Sequence, residues 1–454
     1  MDSYLTTLLN SGAELYEVGG VVRDKLLKRT TKDIDYLVRR LSIQQIKEIL
    51  EPFGKVALVG QSFGVVKFFP HNNTNLTIDF SLPRKEFSTG TGHRDFDVSF
   101  DPNISVENDL NRRDFTINAM AINIKTNEFL DPFCGKKDLS DKILKQVFPN
   151  AFVEDPLRML RGIQFASRFN LTIEENTFAS MKSHAKLIKT VSPERISEEL
   201  KKLLSAPKPS SGFSIMYETG LMKHVLPELE TLKGIGQDKQ PGEDVYDHTM
   251  RVLDAAVDDP AIDYKGEINL VFAALLHDTG KAVTSRFHEE ANRIVFFGHQ
   301  IVSARIAKKI LKRLKAETIG VNIDTVTKLI NNHMFETKAF FSEKAIRRFI
   351  HKVGKDLIFP LIDLRIADNR GGKHPHAIKG VLRLKKKIIE ELEKKPPFGP
   401  KDLAINGNDI KNLGIEEGPQ IGIILNKIVE AVLDEPKLNT KEELLLLAKK
   451  LTSS

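Results

Sequence analysis

The sequence contains no tryptophan and a single cysteine, Cys134, among its 454 residues. One cysteine excludes a disulfide scaffold and a zinc site held by several cysteines, and it suits the reducing cytoplasm, where we expect the protein to act. The longest purely apolar run, residues 270–276, is far shorter than the ~20 residues that span a bilayer, so we expect no membrane segment. The first residues lack the basic and apolar regions of a targeting signal.

The charge is only mildly unbalanced. Lys and Arg number 68 against 61 Asp and Glu, which gives a net charge of +7. This balance is compatible with a polyanionic partner but is weak evidence for one. At about 150 residues per domain, the length suggests roughly three domains.

The pattern of apolar residues changes along the chain. Residues 1–138 mix strand-like alternation with helical stretches, and from about residue 140 helical spacing predominates. Breaks rich in Pro, Gly and Ser divide the helical part into 139–205, 206–395 and 396–454. The sequence predicts an α+β fold: a head with a mixed sheet and helices, followed by a long all-α region.

The segment GGVVRD, residues 19–24, predicts a tight turn from a strand into a helix. Gly19 and Gly20 let the backbone approach a ligand closely, and the free N–H groups at a helix start attract phosphate. Alone, the pair is more often only a turn.

Acidic residues alternate with apolar ones in two predicted strands. Asp33 and Asp35 share one face of the first strand, and Asp79 lies on the polar face of the second. Carboxylates on one face repel each other, and a hard cation such as Mg²⁺ removes that conflict. Three acids beside a phosphate-binding turn indicate a metal-dependent phosphoryl-transfer site; the alternative is a solvated strand face.

The segment EDPLRMLR, residues 154–161, carries an acceptor and a donor three residues apart. Asp155 is an ideal helix N-cap with Pro156 at the first helical position, which is a purely structural explanation. Asp155 and Arg158 also lie at i and i+3, a spacing that can present both groups to one ligand.

Together these motifs resemble the tRNA nucleotidyltransferases of the bacterial and eukaryotic type, the CCA-adding enzymes of the polymerase-β-like superfamily. The resemblance covers the first 200 residues in family order and rests on GGVVRD with KDIDYLV, GQSFGVVKF (60–68), RRDFTINAMA (112–121), DPFCG (131–135), EDPLRMLRG (154–162) and PERISEEL (193–200). Two residues depart from the family pattern: Cys134 replaces a usual glycine, and Gln164 a usual arginine.

The resemblance implies roles for these residues. Asp33 and Asp35 hold Mg²⁺ and activate the 3′-hydroxyl of tRNA, and Asp79 is a third acid. The nucleotide, ATP or CTP, is bound by the following residues: Gly19, Gly20 and Arg23 at the triphosphate, Arg113 and Asp114 at the sugar, and Asp155, Arg158 and Arg161 in the motif that reads the base. On this resemblance residues 1–138 are the head, 139–205 the neck, 206–395 the body and 396–454 a tail that binds tRNA.

Asp155 and Arg158 could select a base by hydrogen bonding, without a template. Cytosine and adenine present an exocyclic amine beside an unprotonated ring nitrogen, which match a carboxylate and a guanidinium. Uracil and guanine present a carbonyl beside an N–H, and each mispaired buried group costs ~1–3 kcal/mol. One Asp–Arg pair can therefore accept C and A and reject U and G.

A second constellation lies in the body. The spacing of His248, His277, Asp278 and Asp368 resembles the ligand set of HD-domain phosphohydrolases, at about residues 240–375. His299 and His333 lie where members with two metals have extra histidines, and Lys281 resembles a basic residue near the scissile phosphate. Such ligands suit a divalent transition metal of unspecified identity. His288, His374 and His376 are predicted to be unrelated to the metal.

Other functions remain open at this point. A poly(A) polymerase shares the head acids, an enzyme that adds only A shares most motifs, and an HD-type nucleotide phosphohydrolase could use the head merely to bind nucleotide. The sequence does not predict the oligomeric state.

Overall fold

The computed structural model describes residues 2–30, 33–59, 64–73, 76–88, 96–237, 243–290, 292–337 and 341–452. The side chains of Asp33, 85–88 and 96–99 lie outside this description, as do residues 60–63 of the motif GQSFGVVKF. The chain divides into two compact units, Met1–Pro227 and Glu228–Ser454. Within the described residues, no helix is both long enough and apolar enough to cross a membrane.

The first unit contains short strands throughout its N-terminal part. They are β1 (Glu14–Val18), β2 (Asp33–Arg39), β3 (Gly54–Val59), β4 (Val65–Pro70), β5 (Thr77–Ser81), β6 (Arg84–Ser88), β7 (Phe96–Phe100), β8 (Ala121–Asn123), β9 (Phe129–Leu130), β10 (Ile143–Leu144) and β11 (Thr172–Ile173). Its helices are α1 (Ser3–Asn10), α2 (Gly20–Leu26), α3 (Ile43–Leu50), α4 (Val106–Asn111), α5 (Gly135–Ser140), α6 (Ala151–Glu154), α7 (Leu157–Phe169), α8 (Glu175–His184), α9 (Pro193–Leu204), α10 (Pro209–Glu218) and α11 (Met222–Val225), while α12 (Pro227–Glu230) lies at the division.

A mixed seven-stranded sheet in the order β3-β4-β5-β2-β1-β8-β9 forms the centre of the head. Strands β2 and β5 pair in parallel, and β4 pairs with β5 antiparallel. The strands predicted from KDIDYLV and LTIDFSL are confirmed as β2 and β5, and the turn at Gly19 connects β1 to α2. The predicted mixed head is therefore confirmed.

The core of the head lies on the apolar face of this sheet. Tyr36, Phe68, Ile78 and Phe80 are buried there, with the Tyr36 and Phe80 rings stacked at a centroid distance of 5.2 Å. The apolar side chains of β5 alternate with Asp79, so burial of one face fixes which way the acid on the other face points.

The second unit is mostly helical. Its helices are α13 (Val245–Asp258), α14 (Ile268–Leu276), α15 (Lys281–Thr284), α16 (His299–Arg313), α17 (Ile323–Asn332), α18 (Glu343–Val353), α19 (Ile358–Gly371), α20 (Lys379–Glu393), α21 (Gly407–Lys411), α22 (Pro419–Asp434) and α23 (Lys441–Thr452). A short antiparallel hairpin, β12 (Arg286–His288) and β13 (Arg293–Val295), interrupts them. The sequence did not predict this hairpin within the helical region, because its strands are too short for alternation to be recognised.

The predicted breaks after residues 205 and 395 fall at helix ends, whereas the predicted head–neck boundary at 138/139 falls within α5. Residues 206–212 contain the gap between α9 and α10 and the first turns of α10, and both helices belong to the first unit. The prolines after residue 395 follow the end of α20. The last helices share an apolar cluster that includes Ile410, Ile428 and Leu444.

We expect Phe80→Ala to lower the free energy of unfolding by about 3–5 kcal/mol, because it leaves a large cavity beside Tyr36 and Phe68. Denaturant unfolding followed by circular dichroism measures this. Phe129→Ala on the same sheet is the control, since that side chain is more than a third exposed. Equal losses for the two variants would contradict the assignment of the core.

Candidate active sites

The acids of the head meet where β2 and β5 pair. Asp35 is the register partner of Asp79, and Asp33 is the partner of Thr77. Like charges directly opposite each other on neighbouring strands destabilise a sheet. Both Asp35 and Asp79 are partly exposed, so the oxygen ligands that Mg²⁺ prefers face an accessible surface. The residues fit a Mg²⁺ site.

A lysine missed by the sequence analysis lies beside these acids. Lys67 of β4 is the register partner of Asp79, and its Nζ lies 3.1 Å from both carboxylate oxygens. Lys67 belongs to the motif GQSFGVVKF, but only the pairing of β4 with β5 reveals its neighbour.

The turn after β1 requires glycine. Gly19 has φ +68°, and a Cβ there would lie 2.6 Å from Nη1 of Arg113. Any other residue would strain the backbone and displace that guanidinium. Gly20 is the first residue of α2, so the N–H groups of the helix start lie at this turn.

Arg23 is buried and held by hydrogen bonds. Its Nη1 donates to Oδ1 of Asn118 at 2.7 Å, and its Nε and Nη2 donate to Asp24. Its guanidinium carbon lies 4.5 Å from the centre of the Phe169 ring. The contacts fix the direction of the positive charge at the predicted triphosphate site.

The bonds of Asn118 connect Arg23 to the neck. Its Nδ2 donates to Oδ1 of Asp114 at 3.0 Å, and Oδ2 of Asp114 accepts from Nε and Nη2 of Arg161 at 2.9 and 2.8 Å. Burial alone would raise the pKa of Asp114, but Arg161 and the bond from Asn118 lower it to about 2. The stabilisation that this carboxylate contributes is present above the ordinary pKa of 3.8 and is lost as the pH falls towards 2.

Arg113 is placed by a buried acid. Its Nη2 lies 3.2 Å from Oδ2 of Asp109, which also pairs with Arg112. Burial would raise the pKa of Asp109, yet the two arginines lower it. Asp109 therefore remains charged and orients Arg113 next to Gly19.

Asp155 and Arg158 have different partners. Oδ1 of Asp155 accepts from the backbone N–H of Leu157 at 3.1 Å, and Oδ2 accepts from Nη2 of Arg195 at 2.9 Å. Arg158 is buried and donates to the carbonyls of Arg112 and Ala151 at 2.9 and 3.4 Å. Asp155 is predicted as the N-cap with Pro156 as the first helical residue, but α7 begins at Leu157 with Pro156 in the cap position. The bond from the Leu157 N–H to Asp155 is nevertheless present, and Arg195 of PERISEEL is an additional residue beside it.

The two departures from the family pattern have local explanations. Cys134 adopts φ +58°, the left-handed conformation that glycine reaches most easily. Gln164 is buried, and its Oε1 accepts a hydrogen bond from Arg168 at 3.1 Å.

The predicted HD residues converge in the second unit. His248 lies on α13, His277 and Asp278 follow α14, and Asp368 lies on α19. His299 begins α16 and His333 follows α17. These six buried residues form the HD cluster, and each of the triplets His248–His277–Asp368 and Asp278–His299–His333 has ligand atoms within 4.8 Å of one another.

The distances within the HD cluster are short. Nε2 of His248 lies 3.1 Å from Oδ1 of Asp368, and Nε2 of His277 lies 3.1 Å from Oδ2 of Asp278. Nε2 of His299 lies 3.3 Å from Oδ1 of Asp278. Asp278, a member of the second triplet, therefore also contacts His277 of the first.

The histidines of the cluster share one hydrogen-bonding pattern. Their Nδ1 atoms contact backbone carbonyls as follows: His248 to Gly371 at 2.9 Å, His277 to Ala274 at 2.8 Å, His299 to Phe296 at 2.8 Å and His333 to Ile330 at 2.7 Å. A carbonyl only accepts, so each Nδ1 donates, and in the neutral imidazole each Nε2 then presents its lone pair to the cluster. Nε2 of His299 and of His333 are 3.4 Å apart, a distance at which one cation could bind both nitrogens.

The charges of the cluster suit a metal. Burial would raise the pKa of Asp278, but His277 and Lys281 hold it well below its usual value. Burial lowers the pKa of His333 to about 3, which keeps the imidazole neutral. Nε2 of His277 is buried and makes no hydrogen bond of acceptable geometry within the described residues. A divalent metal fits this donor set.

Helix packing around the cluster depends on a glycine that the sequence analysis did not single out. A Cβ on Gly371 would lie 2.4 Å from Cγ2 of Val252. The close approach of α19 to α13 lets the Gly371 carbonyl reach His248 and brings Asp368 to the same ring.

Two cations lie beside the acids of the HD cluster. Nζ of Lys281 lies 2.7 Å from Asp278, and Nη1 of Arg365 lies 2.9 Å from Asp368.

We expect Asp114→Asn to reduce the free energy of unfolding by about 2–3 kcal/mol, because Arg161 loses a charged partner in a buried network. Denaturant unfolding measures the change. Asp141→Asn is the control, since Asp141 pairs with Lys137 on the surface and such pairs contribute about 1 kcal/mol or less. A loss no larger than that of the control would refute the role of Asp114.

We also expect His277→Ala to weaken metal binding by the second unit at least roughly tenfold, because it removes a ligand. Calorimetric titration of chelator-treated protein with Ni²⁺ or Mn²⁺ measures this, and His288→Ala outside the cluster is the control. Unchanged affinity in His277→Ala would refute the assigned cluster.

Comparison with known families agrees with this arrangement. Residues 15–145 match the poly A polymerase head domain, residues 170–233 match the probable RNA and SrmB-binding site of polymerase A, and residues 245–371 match the HD domain. The first match contains the acids and the Gly19 turn, and the third contains the whole HD cluster.

Curated relatives match most of the chain. The multifunctional CCA protein of Stenotrophomonas maltophilia is 39% identical over 279 residues, which are 60% of this chain and 65% of that protein. The multifunctional CCA protein of Nitrosococcus oceani is 35% identical over 306 residues, 66% of this chain and 70% of that protein. The match thus spans about two thirds of each relative.

Solved structures share the fold. The Bacillus stearothermophilus CCA-adding enzyme in complex with CTP has a TM-score of 0.69 at 22% identity and covers 100% of this chain and 98% of its own. A complex of a CCA-adding enzyme with ATP has a TM-score of 0.62 at 24% identity, with 99% and 94% covered. From its relatives, its matched domains and its fold, the chain belongs to the family of CCA-adding tRNA nucleotidyltransferases that carry an HD domain.

Proposed function

We propose that this chain adds CMP, CMP and AMP to the 3′ end of tRNA, taking them from CTP and ATP without a template. The observation that carries this proposal is the pairing of Asp35 with Asp79 in register, in a head that begins at the Gly19 turn. The curated relatives are CCA proteins, and related structures hold CTP and ATP. tRNA and nucleotides meet in the cytoplasm, where we place the protein.

The acidic and basic residues of the head have different proposed roles. Asp33 and Asp35 would hold Mg²⁺ with Asp79 beside them, and the cation would supply electrostatic stabilisation of the transferred phosphoryl group. Lys67 offsets the charge of Asp79. Arg23, held by Asn118 and Asp24, would contact the triphosphate at the Gly19 turn.

Base selection is assigned to Asp155 and Arg158. Two of the five N–H donors of Arg158 are used by backbone carbonyls, which orient the guanidinium and leave donors for the ring nitrogen of C or A. The carboxylate of Asp155, held by Arg195, accepts from the exocyclic amine. Arg161, through Asp114 and Asn118, connects this position to Arg23.

The second unit is proposed to hydrolyse phosphoesters at damaged RNA ends, such as 2′,3′-cyclic phosphates. Water adds to phosphorus, one P–O bond to the ribose breaks, and the proton of the water passes to the released ribose oxygen. The HD cluster would hold a divalent metal that supplies Lewis-acid chemistry at the phosphorus. Nζ of Lys281 lies 2.7 Å from Oδ2 of Asp278, beside the position where the phosphate would bind. Clearing the end restores the hydroxyl that nucleotide addition requires.

The experiment that tests the main activity uses tRNA transcripts that lack CCA. They are incubated with each of the four nucleoside triphosphates alone and in mixtures, and the 3′ ends are sequenced. We expect CC from CTP alone and CCA from CTP with ATP. Runs of A on many RNAs would instead indicate a poly(A) polymerase, and A added only to ends that already carry CC would indicate an A-adding enzyme. No addition under any condition would leave the HD-type phosphohydrolase as the function.

We expect Arg158→Ala to raise incorporation of UMP and GMP relative to CMP and AMP, because a mispaired base then leaves fewer buried donors without partners. The ratio of kcat/KM values for the four triphosphates measures this. Lys137→Ala, which removes an exposed surface charge, is the control. Unchanged selectivity in Arg158→Ala would mean that the residue only supports the helix.

A further inference from the structure

A cavity of about 920 Å³ lies directly against the HD cluster. Asp278, His299, His333 and Asp368 line one part of it. Pockets for small ligands are about 300–1,000 Å³, so the space is large for the single phosphate group that the metal site needs. The rest of the wall therefore indicates what else the substrate carries.

That wall is strongly basic. The cations among its described lining residues are Lys281, Arg293, Arg365, Lys373, Lys379 and Arg383, and the acids are Asp278 and Asp368. Lys281 and Arg365 pair with these two acids. Lys373, Lys379 and Arg383 form no ion pair within the part of the chain that the structure describes. An excess of four positive charges, before any metal binds, favours a ligand with several phosphates.

The lining of the cavity also includes aromatic rings. Phe296 and Phe297 line it, between β13 and the ligand His299. The Phe297 side chain is 76% exposed and contacts the ring of His288 edge-on at 6.5 Å. An exposed ring beside a basic wall is the combination that binds single-stranded nucleic acid, because bases stack on the ring while cations contact the backbone.

We propose that this cavity binds the end of a single-stranded RNA, with Phe297 stacked on a terminal base and Lys373, Lys379 and Arg383 against phosphates farther along the strand. The proposal rests on the hydrolase activity proposed above and specifies its substrate as a strand of several nucleotides. A mononucleotide would use the metal site but little of the basic wall.

The absence of tryptophan makes a direct binding test possible, since Phe297→Trp would be the single tryptophan in the chain. The full-length variant is titrated with oligocytidylates of one to six nucleotides with free 3′-hydroxyls, in Mg²⁺ buffer. We expect each strand to quench the tryptophan fluorescence as it binds. The binding affinity should rise about tenfold or more from one to four nucleotides, because stacking and phosphate contacts accumulate. The affinity for the longer strands should fall steeply with salt.

Phe287→Trp is the matched control. Phe287 lies in β12, on the hairpin that precedes Phe297, and is 64% exposed. It does not line the cavity, so the fluorescence of a tryptophan at this position should not respond. In the Phe297→Trp background, Lys379→Ala with Arg383→Ala should weaken tetranucleotide binding about tenfold. Lys386→Ala on the same helix should not, since its side chain is 80% exposed and pairs with Glu390.

Three results would overturn the proposal: no quenching by any strand, an affinity that does not depend on strand length, or binding of ATP as tight as that of the tetranucleotide. Each concerns binding alone. Failure to hydrolyse an oligonucleotide that ends in a 2′,3′-cyclic phosphate, despite normal quenching, would instead refute the proposed hydrolase and leave strand binding standing.

Discussion

Both candidate sites bring groups of like character close together, and positive charge beside them has to offset their repulsion. In the head these are carboxylates on paired strands, with Asp35 opposite Asp79. In the second unit they are imidazole lone pairs and carboxylates, with His299 and His333 3.4 Å apart at Nε2. Folding has to hold these groups in place against their repulsion, so the surrounding contacts have to be strong and specific.

The two units meet this requirement differently. In the head, apolar burial on one face of the sheet fixes the direction of every alternate side chain, and Lys67 offsets the charge of Asp79. Around the HD cluster, carbonyls at helix ends bind Nδ1 of each histidine, so the backbone itself sets both the orientation and the tautomer. Stability and the geometry of the candidate sites therefore have the same origin in each unit, because the contacts that hold the fold also orient the side chains of the site.

The sequence predicted the elements that carry the acids because alternation and glycine turns are local properties. The strands β2 and β5, the turn at Gly19 and the residues of the HD cluster followed from spacing and from the family resemblance. Lys67, Asn118, Arg195 and Gly371 did not, because their importance depends on which strands or helices lie next to each other. The roles of the site residues remain predictions, and the side chain of Asp33 lies outside the described residues.

The central claim is that one chain holds two chemically independent metal sites. It is tested most directly by assaying two double variants for both reactions in the same preparations: Asp33→Ala with Asp35→Ala, and His277→Ala with Asp278→Ala. The account predicts that the first pair loses nucleotide addition and keeps metal-dependent hydrolysis of 2′,3′-cyclic phosphates, while the second pair does the reverse. Loss of both reactions in either folded double variant, or retention of addition by the first, would contradict it.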